Sequence, residues 1–288
     1  MASHVAQHFV PAFLLEQWHT GGDGDAKLYA FRWANGKLIH SRRTAKHVAK
    51  EDHLYSFEGS DGSPDTSIER TFMGPHVDDP AAVVHKLLLN KGLGTLTEKQ
   101  HYEWARFLGS MRVRVPSVMA RLRVLGTESL VDSLNSDPSA YEAIRGDSPY
   151  SSLLEYFKAH ERRLFEDFGT RMLPDLIQSE TLMRRFLVDR TWTVRSFQET
   201  RYDLLIGDDP LIGVGSPDAD FAFYLPLSPR AVFVVSSRPE LAKKLEALDD
   251  ATVVRDLNEY TAAKAQRYVY ATGVGQESFL RKHLKRPV

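Results

Sequence analysis

Ionisable side chains stand at two points of the sequence where an apolar segment meets a turn. His8 lies in the run 7–11, and the pair Asp208 and Asp209 lies in the run 206–210. An imidazole can act as a general base or as a metal ligand, and a carboxylate can bind a divalent cation. The two runs predict a place for acid–base or metal-assisted chemistry, although neither has a spacing that dictates one reaction.

Each of these residues also has a structural explanation. His8 precedes Pro11, which can open a helix at its first turn, so the imidazole could instead bond the local backbone. Asp208 and Asp209 are adjacent, and adjacent side chains of an extended chain point apart. Only one of them would face a given cleft, and an Asx-turn would account for the pair equally well.

Two further charged residues lie at predicted ends of elements. Arg114 belongs to the segment 111–116, where Pro116 must end a helix. An arginine there is favoured by the helix dipole, or it could clamp a phosphate or carboxylate with two N–H groups. Glu51 and Tyr55 flank a predicted join of a helix and a strand, where the carboxylate could be a ligand or a cap.

Several well-defined kinds of site are missing from the sequence. The chain has no cysteine, which excludes disulfides, thiolate metal sites and a cysteine nucleophile. The glycines of 213–215 lack the third glycine and the helix of a dinucleotide fingerprint, so we predict a loop there. The group His76, Asp78, Asp79 and His85 lacks the adjacent His-Asp pair of metal-dependent phosphohydrolases, and its two aspartates are expected to begin a helix.

The composition is that of an ordinary soluble globular protein. The 288 residues include 37 basic and 38 acidic side chains, a formal charge of -1. The protein as a whole therefore has no positive electrostatic field that would attract nucleic acid or an anionic membrane, although the composition still allows a local basic patch. No apolar run reaches the roughly 20 residues that span a bilayer, and no signal peptide is evident. We expect a cytoplasmic protein without a membrane partner.

The first part of the chain is predicted to mix strands with a short helix. Asn35-Gly36 between strand-forming residues is typical of a type I′ turn, so a β-hairpin is expected over 28–41. Thr44 is expected to cap a short helix through Ala49. A strand at 54–57 should follow.

Helical periodicity dominates the middle of the chain, over 66–188. Thr97 is predicted to open one of these helices with a capping box, and a loop is expected over 135–150. Beyond this block the sequence predicts an antiparallel sheet and its flanking helices, with strands at 191–194, 202–206, 221–225, 231–235 and 268–271 and helices at 239–248 and 257–268.

The predicted fold class is therefore α+β. A central helical block would carry a small N-terminal β-hairpin and a C-terminal antiparallel sheet flanked by helices. We expect a single domain over 1–288, in which the mixed ends 1–60 and 189–288 surround the block 66–188.

Taken together, these segments resemble the bacterial family called domain of unknown function 4238 nearly from end to end. The chain departs from the family pattern at Ile206-Gly207, where Thr-Ser is usual, at Asp209, where Asn is usual, and at Met111, where Gln is usual. These departures weaken any mechanism that depends on a hydroxyl or an amide. The resemblance rests on Gln7–Leu15, Val48–Glu51 with Leu54-Tyr55, Phe107–Pro116, Ile206–Leu211, Leu225–Pro229, and Leu257-Asn258 with Ala262 and Tyr268.

The resemblance implies a shortlist of site residues, because His8, Glu51, Arg114, Asp208 and Asn258 fall at motif positions. One hypothesis is a hydrolase or nuclease acting on a nucleic acid or another phosphate-containing substrate. His8, Glu51 and Asp208 would then converge as base or ligands, Arg114 would hold an anion, and His8 with Asp208 would bind a divalent metal ion. The alternatives are a non-catalytic binding or interaction protein, whose same residues form a buried hydrogen-bond network, and a defence or toxin effector.

Overall fold

The computed structural model describes residues 5–22, 24–59, 62–198, 200–216 and 218–286. Its strands are β1 (Ala6–His8), β2 (Leu28–Ala34), β3 (Lys37–Arg43), β4 (Lys50–Asp52), β5 (Phe57–Glu58), β6 (Pro64–Asp65), β7 (Thr191–Ser196), β8 (Ile206–Gly207), β9 (Ile212–Gly215), β10 (Phe221–Ser228), β11 (Ala231–Ser236) and β12 (Val269–Ala271). Its α-helices are α1 (Ala12–Leu15), α2 (Asp79–Asn90), α3 (Glu98–Val113), α4 (Pro116–Asn135), α5 (Pro138–Ile144), α6 (Leu153–His160), α7 (Arg162–Arg171), α8 (Leu173–Gln178), α9 (Glu180–Met183), α10 (Pro239–Ala247), α11 (Asp250–Lys264) and α12 (Glu277–His283).

The predicted hairpin is confirmed and forms part of a sheet built from both halves of the chain. Asn35 and Gly36 have φ of 49° and 72°, the positive values that a type I′ turn requires. The strand order is β3-β2-β12-β8, all antiparallel. At one end of this sheet Trp33 donates from Nε1 to the carbonyl of Leu284 at 3.0 Å, 251 positions along the chain.

The two faces of this hairpin sheet differ in character. Phe31 and Val269 pack with the buried Leu280 of α12 in one hydrophobic cluster. On the opposite face Ala30 lies directly across from Tyr270 and from Ser41. Because side chains alternate along a strand, this second face also carries Arg32 on β2 and Arg43 on β3.

The second sheet has the order β7-β11-β10-β9 and is antiparallel. The predicted strands over 191–194, 221–225 and 231–235 are confirmed. The loop predicted at 213–215 is wrong, because Ile212–Gly215 pairs with β10. Of the segment 202–206, only Ile206 is in a strand, and that strand joins the hairpin sheet instead.

The predicted helical block is confirmed, because helices α2 to α9 and two π-helices cover most of residues 68–188. The hydroxyl of Thr97 accepts from the backbone N–H of Gln100, and the side-chain oxygen of Gln100 accepts from the backbone N–H of Thr97, which is the predicted capping box. The loop predicted over 135–150 is wrong in part, because it contains α5. Helices α4 and α7 touch at Gly126 and Gly169, where a Cβ on either residue would collide with the backbone of the other helix.

A long π-helix precedes α2 and covers Ile68–Asp78. Such helices are rare and recur at functional sites, because their wider turns change which side chains share a face. The sequence predicts a helix that begins at Asp78 and Asp79. The structure instead has one continuous helical segment there, which changes from a π-helix to an α-helix at these two residues.

The segment between the hairpin and the helical block also differs from its prediction. A 3₁₀ turn covers only Ala45–His47, and the chain then extends into β4, which pairs with β1. Residues 53–55 form a turn, so the strand predicted at 54–57 is reduced to β5. Taken as a whole, the structure confirms the α+β class. None of the described helices is long and apolar enough to cross a membrane.

Candidate anion-binding site

Arg114 is fully buried at the C-terminal end of α3 and is bound on several sides. Its guanidinium donates to both carboxylate oxygens of Asp78, at 2.7 and 2.9 Å, and to the carbonyl of His8 at 3.1 Å. The hydroxyl of Tyr55 donates to the carbonyl of Arg114 at 3.2 Å. Burial alone would lower the pKa of Arg114, but Asp78 beside it raises that pKa above its ordinary value. Arg114 is therefore a permanent buried cation.

The π-helix explains why two carboxyl groups face this one cation. Glu69 and Asp78 are nine positions apart, a spacing that would put them on opposite sides of an α-helix with its 3.6 residues per turn. A π-helix has about 4.4 residues per turn, so the same spacing is close to two full turns. Burial raises the pKa of Glu69 to about 7, with Arg114 opposing the shift and Asp78 adding to it.

His8 sits next to this cluster, in the strand that pairs with β4. Burial lowers the pKa of His8, and the nearby positive charges of Lys50 and Arg114 lower it further. Its Nε2 atom is buried and has no hydrogen-bond partner within the described part of the chain. The imidazole is therefore neutral at pH 7, and its backbone carbonyl anchors Arg114.

Asp208 has a different set of partners. Its carboxylate accepts from the backbone N–H groups of Gln266, Arg267 and Tyr268, each at 2.7 Å. Burial raises the pKa of Asp208, and these three bonds oppose the rise. Asp208 thus fixes the turn that leads into β12.

The predicted site residues are brought together only in part. His8 and Arg114 are in direct contact. Glu51 lies in the strand opposite β1, across from Gln7, but its side chain is exposed. Asp208 is committed to the turn before β12. Among the described residues, no group of three His, Cys, Asp or Glu side chains is arranged to hold a metal ion. The predicted hydrolytic centre and its divalent metal therefore stay a prediction.

A basic pocket opens on the second face of the hairpin sheet, beneath the segment 47–50. Its volume is about 430 Å³. We call it the basic pocket and define it by its cations Arg32, Arg43, Lys50 and Arg267, its phenols Tyr268 and Tyr270, and His47. The cations come from three separated parts of the chain, which shows that tertiary structure, not one basic run, concentrates the charge.

The cations of the basic pocket are not neutralised by the protein. Within the described ranges, no carboxylate oxygen lies within 4.0 Å of Arg32, Arg43, Lys50 or Arg267, whereas most other arginines of the structure have such a partner. Like charges held around one cavity repel each other, and a bound anion would relieve that repulsion.

Tyr270 places a neutral donor in the same pocket. Its side chain is 0 % exposed. The backbone N–H of Ala49 lies near its oxygen, but no residue that the structure describes accepts a hydrogen bond from its hydroxyl. Burial, with Asp208 nearby, raises the pKa of Tyr270 well above its ordinary value, so the phenol keeps its proton. A buried hydroxyl without an acceptor costs free energy, and an anion that enters the pocket would accept its hydrogen bond.

Two histidines line the pocket, but they do not play the same part. The ring of His40 packs against Tyr29 and Phe31 at 5.8 and 5.3 Å, and strand alternation directs it to the face that packs on α12. His47 is exposed, and its Nδ1 lies 2.6 Å from the hydroxyl of Thr44. Of these two described histidines, His47 is the one that can offer a ring nitrogen to a ligand in the pocket.

The backbone of the segment 47–50 is strained where it covers the pocket. Ala49 has a φ of 49°, and a left-handed conformation costs a residue with a Cβ about 1–2 kcal/mol. The carbonyl of Ala49 accepts from the N–H groups of Phe9 and Val10, which holds the strain in place. This turn moves the chain from the 3₁₀ turn into β4 and sets Lys50 at the pocket.

Reasoning from the sequence missed the basic pocket, although one signal was present. Residues 26–50 contain seven Lys or Arg side chains and no Asp or Glu. The whole-chain charge conceals this run, because acidic residues elsewhere balance it. Counting charges in short windows along the sequence would have found the basic residues of β2 and β3 and Lys50. It would not have found Arg267, which reaches the pocket only through the pairing of β12 with β2.

The raised pKa of Glu69 gives the first testable prediction. Its folded-state value of about 7 exceeds the ordinary 4.5, so protonation stabilises the fold fully below pH 4.5, and this contribution is lost as the pH rises to 7. The loss amounts to about 3 kcal/mol. We expect Glu69→Gln to be more stable than the wild type above pH 7, with the difference vanishing near pH 4.5.

Urea denaturation at several pH values measures this effect, with Glu98→Gln on the exposed first turn of α3 as the control. A Glu69→Gln variant whose stability follows the wild-type pH profile would show that Glu69 does not titrate in this range.

A family model described as "Protein of unknown function (DUF4238)" matches residues 6–273 of the chain. The match runs from the first strand through β12. It therefore includes the basic pocket and the buried cluster of Arg114 with Glu69 and Asp78. No curated protein and no solved structure matches the chain. The geometry of the site is therefore the basis on which a function can be assigned.

Proposed function

We propose that this chain, which belongs to the DUF4238 family, binds a phosphate-containing ligand in the basic pocket. The observation that carries the proposal is the set of four cations around one cavity with no carboxylate partner among the described residues. Arginine matches the geometry of phosphate oxygens, and lysine adds a point charge. The pocket volume also falls within the range of small-molecule sites.

The proposal assigns the sequence-predicted residues to supporting parts. Asp208 fixes the turn that carries Arg267 and Tyr268, and His8 pairs across β1 and β4 with Lys50. Arg114 ties β1 to the helical block through Asp78. These residues would hold the pocket in shape without touching the ligand, which agrees with the binding alternative more than with catalysis.

Titration calorimetry tests the proposal with two probes, inorganic pyrophosphate and a single-stranded RNA dodecamer. We expect Arg32→Gln to weaken binding of whichever probe binds by at least about tenfold, because a charge-assisted hydrogen bond contributes about 1.5–3 kcal/mol. Arg121→Gln, an exposed arginine of α4 outside the pocket, is the matched control and should bind as the wild type does.

Binding of neither probe by the wild-type protein would contradict the proposal. So would binding that Arg32→Gln leaves unchanged, because the anion would then sit elsewhere.

Hydrolysis of the bound ligand is a second candidate function, and the position of His47 favours it. An imidazole can transfer a proton near neutral pH, and the contact with Thr44 orients this one. Assay of inorganic phosphate released from pyrophosphate in the same samples tests it. If pyrophosphate binds but no inorganic phosphate is released, the protein binds its ligand without hydrolysing it.

A further inference from the structure

We propose that the ligand of the basic pocket is a small oligophosphate, with a terminal phosphate and at least one more phosphate linked to it, and not a nucleic acid strand. This inference rests on the proposed function and narrows the class of ligand. Three features support it: the position of the Tyr270 hydroxyl, the number of cations and the shape of the cavity.

The position of Tyr270 selects a terminal phosphate. Its side chain is 0 % exposed and is one of the residues that line the pocket, so a group must enter the cavity fully to accept from the hydroxyl. A phosphodiester within a strand carries a sugar on both sides, and those sugars keep it at the surface. A terminal phosphate has three free oxygens and one attachment point, so it can reach the buried phenol.

The number of cations selects more than one phosphate. Arg32, Arg43, Lys50 and Arg267 all line one volume of about 430 Å³, and none has a carboxylate partner in the described ranges. A single phosphate carries about two negative charges at pH 7 and would leave half of this charge uncompensated. Two or three linked phosphates would balance it.

The shape of the cavity argues against a strand of nucleic acid. Proteins that bind single strands combine an open basic groove with exposed aromatic rings on which bases stack. Here Tyr270 is buried, and the guanidinium of Arg267 lies over the ring of Tyr268 at 5.2 Å. The described residues that line the basic pocket therefore offer charge and depth, but no free aromatic face for a base.

Titration calorimetry with sodium tripolyphosphate, inorganic phosphate and an RNA dodecamer with 5′-hydroxyl and 3′-hydroxyl ends tests the inference at a fixed salt concentration. We expect tripolyphosphate to bind at least tenfold more tightly than phosphate, and the RNA to bind more weakly than tripolyphosphate. Tyr270→Phe should weaken tripolyphosphate binding by about tenfold or more, the loss of one hydrogen bond to a charged group.

The same variant controls for folding. No residue in the described part of the chain accepts a hydrogen bond from the Tyr270 hydroxyl, so Tyr270→Phe should melt close to the wild-type temperature. A variant that melts lower would be replaced by Arg267→Gln, whose side chain is exposed.

The outcomes separate this inference from the proposed function. RNA that binds more tightly than tripolyphosphate, and loses its binding in Arg32→Gln, would overturn the oligophosphate while the phosphate-binding pocket stands. Equal affinity for phosphate and tripolyphosphate, or unchanged binding in a folded Tyr270→Phe, would also overturn it. If no probe binds, both proposals fail.

Discussion

Replacing Arg114 with methionine should destabilise the protein by about 3–5 kcal/mol, the usual cost of removing one partner of a buried ion pair. The substitution keeps a long side chain but leaves the carboxylate of Asp78, which is 20 % exposed, without its cation. It also removes the donor to the carbonyl of His8. Because the cluster joins β1, the π-helix and α3, we expect the loss to appear as global destabilisation.

Urea denaturation at pH 7 measures the effect of Arg114→Met, and Arg112→Met is the matched control. Arg112 lies on the same helix, and its guanidinium lies over the rings of Phe186 and Phe223. Such a cation–π interaction contributes about 0.5–2 kcal/mol. A double variant with Asp78→Leu should recover part of the stability lost in Arg114→Met, because the carboxylate of Asp78 is then no longer left without a cation.

The result also bears on the catalytic hypothesis for Arg114. If Arg114→Met were as stable as the wild type and yet lost ligand binding, Arg114 would act on the ligand directly, and the structural role described above would be wrong.

Replacing Asp208 with alanine should cost about 3 kcal/mol, the lower end of what the loss of three partly buried hydrogen bonds predicts. Three backbone N–H groups, those of residues 266–268, would lose their acceptor, and each unsatisfied buried donor costs about 1–3 kcal/mol. Because the same turn carries Arg267 and Tyr268, we also expect weaker binding of anions to the basic pocket.

Asp209→Ala serves as the control for Asp208→Ala. Asp209 is the neighbouring carboxylate and pairs with the side chain of Lys264 at 2.7 Å, without capping any backbone group that the structure records. Its loss should cost less and should leave anion binding intact. If Asp208→Ala kept full stability but changed the metal content of the purified protein, the metal-ligand prediction for Asp208 would be favoured instead.

Much of the fold was predictable because it depends on local patterns. The hairpin follows from Asn35-Gly36, and the start of α3 follows from Thr97 and Gln100, since turn and cap chemistry act within a few residues. The π-helix was not predictable. Its segment, Ile68–Asp78, contains Gly74 and Pro75, and its apolar residues show no periodicity that would distinguish it from the α-helix after it.

The candidate site was less accessible from sequence. Polar residues at element ends identified His8, Arg114 and Asp208 as unusual, and all three do lie in hydrogen-bond networks. Their partners are mainly the backbone and, for Arg114, the side chains of Asp78 and Ser110. No residue pattern specifies a long-range partner. The basic pocket depends on the pairing of β2 with β12, which neither strand encodes alone.

That pairing has a consequence for synthesis on the ribosome. Ala30 of β2 pairs with Tyr270 of β12, 240 positions later in the chain, which at 5–20 residues per second corresponds to roughly 10–50 s of translation. Throughout that interval the hairpin exposes the edge of β2 and has no pocket for an anion. The nascent chain would therefore be open to chaperones and to edge-to-edge association, and ligand could protect the protein only after translation is nearly complete.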